Sequence, residues 1–103
     1  GALSTPVMSW FAAYFTPGKL TVGFDVWILS HKFKNDNCSL AARLRIFDNS
    51  DGVNITVSLN SSNKYTASWN DKVVKHETIK PGLLNIQIPA GVFEGELKVM
   101  KRQ

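Results

Sequence analysis

The chain contains one cysteine, Cys38, so no intramolecular disulfide can form and cysteine usage leaves the redox compartment open. Histidine is nearly as scarce. His31 and His76 lie in no recognisable motif, and together with Cys38 they supply too few ligands, at no standard spacing, for a zinc site. The same shortage argues against a Ser/His/acid or Cys/His nucleophilic arrangement. Long apolar runs are absent as well: the longest, residues 10–15, has six residues, against the ~18 that a membrane-spanning helix requires. Charge of one sign never accumulates. Twelve Lys and Arg against eight Asp and Glu leave a net charge of +4 with no block of five or six, which argues against a nucleic-acid footprint unless the basic residues converge on one face. No membrane insertion, metal or cofactor is expected.

What the 103 residues do contain is ordinary globular composition, 44% hydrophobic and 19% charged, which disfavours disorder and collagen-like repeats. Apolar residues alternate with period two, as on a sheet with one face on a core and the other in water. Over residues 21–29, Val22, Phe24, Val26 and Ile28 share the inward face, which sends Asp25 and Trp27 outward. Over 39–47 the inward set is Leu40, Ala42, Leu44 and Ile46, with Arg43, Arg45 and Phe47 outward. Residues 53–60 alternate most cleanly, placing Val53, Ile55, Val57 and Leu59 against Asn54, Thr56, Ser58 and Asn60. Further strands are expected over 64–69 (Tyr65, Ala67 and Trp69 inward), 72–78, 83–88 (Leu84, Ile86 and Ile88 inward) and 96–100, plus one within 7–15.

Turn signals separate these runs at the spacing of an all-β domain. Gly52 suits a positive φ in a hairpin loop, Asn70-Asp71 a two-residue hairpin turn, and Lys80-Pro81-Gly82 a further reversal. The expectation is a single antiparallel β-sandwich of about eight strands over residues 7–103, with jelly-roll or immunoglobulin-like topology. Residues 1–6 read as a flexible leader, with Gly1 as a remnant of tag cleavage. Trp10 is expected in the core.

No catalytic residue emerges. The eight acids fall mostly in turns, and in Asp48-Asn49-Ser50-Asp51-Gly52 the glycine is fifth rather than sixth, out of phase with an EF-hand calcium loop. Three N-x-S/T sequons, at Asn37, Asn54 and Asn60, are accounted for by a polar β surface rich in these residues. The sharper signal is aromatic. An outward Trp27 beside Asp25, with Arg43 and Arg45 outward on the strand over 39–47, forms a candidate carbohydrate-binding surface, since a flat ring stacks on a sugar while polar neighbours bond its hydroxyls. The alternative is that Trp27 packs on the amino-terminal segment or on a companion domain.

Residues 65–74 and 81–91 resemble the closing strands of accessory β-sandwich domains in bacterial carbohydrate-active enzymes, and Leu44-Arg45-Ile46-Phe47-Asp48-Asn49 resembles the strand those domains use to enter a hairpin. Those domains carry a hairpin of the form Asn-Gly-Lys-x-Val and a strand ending in Ile-Pro and glycine; Asp71 stands here where glycine is commoner. The resemblance implies a non-catalytic module of a secreted, periplasmic or cell-surface protein whose partner is a polysaccharide or oligosaccharide, and it transfers no binding residue. The competing expectation is a structural domain that docks a companion domain or forms a homodimer.

Overall fold

The alternating runs become nine strands in the computed structural model, which describes residues 16–61 and 63–102. They are β1 (Lys19–Thr21), β2 (Val26–Lys34), β3 (Ser39–Ile46), β4 (Val53–Ser58), β5 (Tyr65–Trp69), β6 (Lys72–Val74), β7 (His76–Lys80), β8 (Leu83–Ile88) and β9 (Glu94–Lys101). A four-stranded sheet has the order β1-β4-β8-β7 and a five-stranded sheet the order β2-β3-β9-β5-β6, with every pairing antiparallel. The protein is therefore a β-sandwich. The expected leader, the strand within 7–15 and Trp10 lie outside the described residues.

The first order has the form of the A-B-E-D sheet of an immunoglobulin sandwich, and β6-β5-β9 that of C′-C-F. The position beside F, normally filled by a closing strand, is taken by β3, which enters with β2 as a hairpin between the first two strands of the other sheet. The hairpin loop is held by Asn35, Asp36 and Asn37, all at positive φ (56°, 57° and 60°), where Asn and Asp are the best tolerated side chains after glycine. This hairpin carries most of the residues discussed below.

The inward sets are buried as the alternation requires: Leu40, Ala42, Leu44 and Ile46 from β3, Ile55, Val57 and the following Leu59, Tyr65, Ala67 and Trp69 from β5, and Leu84, Ile86 and Ile88 from β8. Leu97 and Val99 of β9 complete the core. Cys38 is half-buried, a small side chain packed at the core margin. Asn70 and Asp71 both take positive φ (51° and 68°), the geometry of a two-residue type I′ hairpin between β5 and β6.

Residues 21–29 are not one strand. β1 belongs to one sheet and β2 to the other, and the chain bends between them, so Val22 packs on the core from one side and Val26 from the other, while Phe24 sits on the bend fully exposed at 100%. Phe24 is thus outward, contrary to the alternation. Gly52 has the positive φ expected (+85°), yet residues 47–52 carry the chain from one sheet to the other rather than closing a hairpin. The run 72–78 divides for the same reason: Lys75 is the crossing point between β6 and β7, which lie in different sheets. The last strand starts at Glu94, two residues earlier than the pattern indicates.

Pro81-Gly82 closes the β7–β8 hairpin with Gly82 at φ +84°, and a Cβ there would stand 2.5 Å from the carbonyl oxygen of Leu59. Backbone strain and a clash with main chain act together, so Gly82→Ala is expected to destabilise the fold by about 2–4 kcal/mol. Urea unfolding checks this; an unchanged midpoint would contradict the turn geometry.

Candidate functional site

Outside the core, the five-stranded sheet presents one face to solvent, and its composition follows from register. Trp27 on β2 is opposite Arg45 on β3, which is opposite Glu94 on β9. Beyond it, a bulge inserts Leu29 between the pairs Ile28/Leu44 and Ser30/Arg43. A bulge reverses the parity of everything after it, so Ser30, Lys32 and Lys34 continue the outer face begun by Trp27. Without it those lysines would face the core side. The next rows are therefore Ser30/Arg43/Glu96, Lys32/Ala41/Lys98/Ser68 and Lys34/Ser39/Met100/Thr66.

At the end of this face Trp27 is 60% exposed and meets Phe47 edge to face, with ring centroids 4.9 Å apart and planes at 76°. That geometry is the favoured one for an aromatic pair and fixes the indole without covering it. The Arg45 guanidinium lies 5.4 Å from the Phe47 ring centre, a cation–π distance. Glu94 lies between the two arginines, with Arg43 at 3.7 Å and Arg45 at 3.9 Å. Both distances exceed a hydrogen bond, so the guanidinium groups, each about half exposed, keep donors available to a ligand. Arg45, Ile46, Phe47, Phe93 and Glu94 line a shallow depression of about 310 Å³ beside this cluster.

Asp25 takes a different place from the one the alternation gives it. It lies in the turn before β2, half-buried, with Oδ1 beside Gly23, and its carbonyl accepts the Phe47 N–H at 2.9 Å. Its carboxylate makes no ion pair with Arg43 or Arg45; Glu94 has that role. Trp27, Arg43 and Arg45 are brought onto one face, and Asp25 contributes backbone support at its edge. Glu94 and Phe93 were not legible as site residues in the sequence. The alternation of Glu94, Glu96 and Lys98 against Gly95, Leu97 and Val99 assigns Glu94 a face, but only strand order makes it a neighbour of the arginines.

Three loops hold this end of the sandwich together. Ile46 N–H donates to the Phe93 carbonyl at 2.6 Å and Gly91 N–H to the Asn49 carbonyl at 3.0 Å. Asn49, fully buried, donates from Nδ2 to the carbonyls of Pro89 and Val92. Its Oδ1 has no partner among the described residues. Asn49→Ala unpairs two carbonyls and releases the loop that carries Phe93, with an expected cost of about 1–3 kcal/mol and faster hydrogen exchange at the Gly91 amide; unchanged exchange would contradict the clamp.

Charge converges on this face more than the linear order suggests. Among the four rows there are five cations (Arg43, Arg45, Lys32, Lys34 and Lys98) and two acids (Glu94 and Glu96). That is 5 − 2, or +3, and +2 once Asp71, which pairs with Lys98 from the adjoining turn, is counted. Lys98 is held by Glu96 at 3.4 Å and Asp71 at 3.6 Å, and the hydrogen bond it donates to Glu96 is the main cause of its raised pKa. Lys32 and Lys34 have no acid within 4 Å among the described residues.

Two larger depressions, of about 570 and 460 Å³, open elsewhere on the sandwich surface. Among the described residues, the first is lined by no aromatic side chain, and the only aromatic ring of the second besides His76 is that of Tyr65, which is buried and bonded to the Asn60 carbonyl. No group of three or more His, Cys, Asp or Glu suited to a metal occurs among the described residues, and no helix there is long and apolar enough to cross a membrane. No protein-family model, curated protein or solved structure matches the chain.

Proposed function

We propose that this domain is a non-catalytic module that binds polysaccharide or oligosaccharide chains on the outer face of the five-stranded sheet. The observation that supports the reading best is the exposed Trp27, braced by Phe47 and flanked in register by Arg45 and Glu94. A sugar ring stacks its C–H face on the indole, while arginine N–H groups donate to its oxygens and Glu94 accepts from its hydroxyls. Because Phe47 holds the indole in place, little side-chain freedom is lost on binding. The parent protein on this reading is secreted, periplasmic or displayed at a cell surface.

A second reading is favoured by a separate observation. Phe24, Phe47, Val92 and Phe93 are all exposed on the loops that meet at the Trp27 end, and exposed apolar groups of this kind also mark surfaces that dock a companion domain or a second copy. Affinity electrophoresis through gels containing neutral and acidic polysaccharides separates the two. Saturable retardation is the result expected of the module. Uniform mobility across the panel, with a dimer in sedimentation, would favour the docking domain.

A further inference from the structure

We infer that the chain taken by this face is an anionic polysaccharide, carrying carboxylate or sulfate groups, laid along the β2–β3 hairpin from Trp27 towards Lys34. The inference rests on the glycan-binding reading and specifies its ligand class. Its basis is the net positive charge of the four rows, +3 and still +2 with Asp71 counted, which is hidden in the linear sequence and created by the strand order and the Leu29 bulge. The cations are spaced regularly. Arg45, Arg43, Lys32 and Lys34 lie in four successive rows, two residues apart along the strands, which is about 7 Å per step and about 20 Å from first to last. A ligand with charges repeated along its length can engage all four, whereas an isolated anion can engage only one or two.

The pairing within the face points the same way. Arg43 and Arg45 share a single carboxylate at distances too long for hydrogen bonds, and among the described residues Lys32 and Lys34 have none within 4 Å. A guanidinium presents paired N–H donors that match a carboxylate or sulfate. Sheet aromatics with basic neighbours also hold single-stranded nucleic acid. Here, however, Glu94 lies between the arginines and Glu96 beside Arg43, where they repel a continuous phosphate backbone but accept hydrogen bonds from sugar hydroxyls. A hydroxyl-rich polyanion satisfies both the cations and the carboxylates.

The test is retention of the wild-type domain on matched pairs: polygalacturonate against its methyl ester for carboxylate, dextran sulfate against dextran for sulfate, and single-stranded DNA as the non-sugar polyanion. At least one anionic member is expected to bind about tenfold or more tightly than its neutral partner, and the preference should shrink as salt rises. Arg43→Gln with Arg45→Gln should abolish the preference and flatten the salt dependence; Lys32→Gln with Lys34→Gln, further from the aromatic pair, should reduce it by a smaller factor. Equal retention of neutral and anionic partners would overturn the charge inference and leave the glycan reading standing. DNA bound as tightly as the best polysaccharide would overturn it in favour of general polyanion attraction, and retention of none of these polymers would remove both readings.

Discussion

Trp27→Ala is expected to weaken retention on the preferred polysaccharide by roughly 30- to 150-fold while leaving the domain folded. The exposed part of an indole offers on the order of 100 Å² of apolar surface to a stacked ring, worth about 2–3 kcal/mol at ~25 cal/mol per Å², and each 1.4 kcal/mol is about tenfold in affinity. The structural cost is smaller. Trp27 loses an edge contact with Phe47, about 0.5–1.5 kcal/mol, which lowers the Tm of a domain this size by about 2–12 °C. Trp27→Phe keeps a flat ring and should recover part of the binding. Affinity electrophoresis with a parallel thermal melt checks the split between binding and stability. Retention unchanged in Trp27→Ala would remove the indole from the site.

Leu97→Ala is expected to have the opposite signature: a large loss of stability with binding intact wherever the protein is still folded. Leu97 is completely buried on β9, the central strand of its sheet, between Ala42 on β3 and Trp69 on β5. Deleting its branched side chain removes transfer free energy and leaves a cavity that neighbours in two fixed ladders cannot close, a cost of about 3–5 kcal/mol. At about 4–8 °C per kcal/mol the Tm should fall by roughly 12–40 °C. Leu29→Ala serves as the contrast. Leu29 is the inserted residue of the bulge and is exposed, so its truncation should change stability by less than about 1 kcal/mol. A Leu97→Ala variant as stable as Leu29→Ala would contradict the assigned core.

The two outcomes also mark where the sequence was legible. Leu97 and its core neighbours are visible because a strand with one wet face repeats every second residue, and Val53 to Leu59 or Leu40 to Ile46 need no tertiary information to be assigned a face. Asn70-Asp71 is legible for the same local reason: few residues other than these tolerate two successive positive φ values. The pattern fails where the chain changes sheet. Phe24 continues the alternation of Val22 and Val26 in sequence, yet Val22 follows β1 and Val26 opens β2, strands of different sheets, and the bend between them turns Phe24 out. The bulge at Leu29 breaks parity in the same silent way, and Lys75 splits an apparently continuous strand.

The candidate site was partly legible for a related reason. Trp27, Arg43, Arg45 and Phe47 could each be assigned a face, but their proximity depends on β2 pairing with β3, and Glu94 joins them only because β9 lies on the far side of β3. That neighbourhood joins residues about fifty positions apart in the chain, and no local signal encodes it. Asp25 was assigned by alternation through a segment that is a turn, which is why its backbone, and not its carboxylate, supports the site.

The most direct test of the account is the response of the indole N–H signals in two-dimensional ¹H–¹⁵N NMR as the retained polysaccharide, cut to soluble oligomers, is titrated into the wild-type domain. Trp27→Phe assigns the exposed indole, and Trp69, buried in the core, is the internal reference. The account predicts a saturable shift of the Trp27 indole signal with the Trp69 signal stationary. Saturable binding that leaves the Trp27 signal unmoved, or no response to any oligosaccharide, would contradict it.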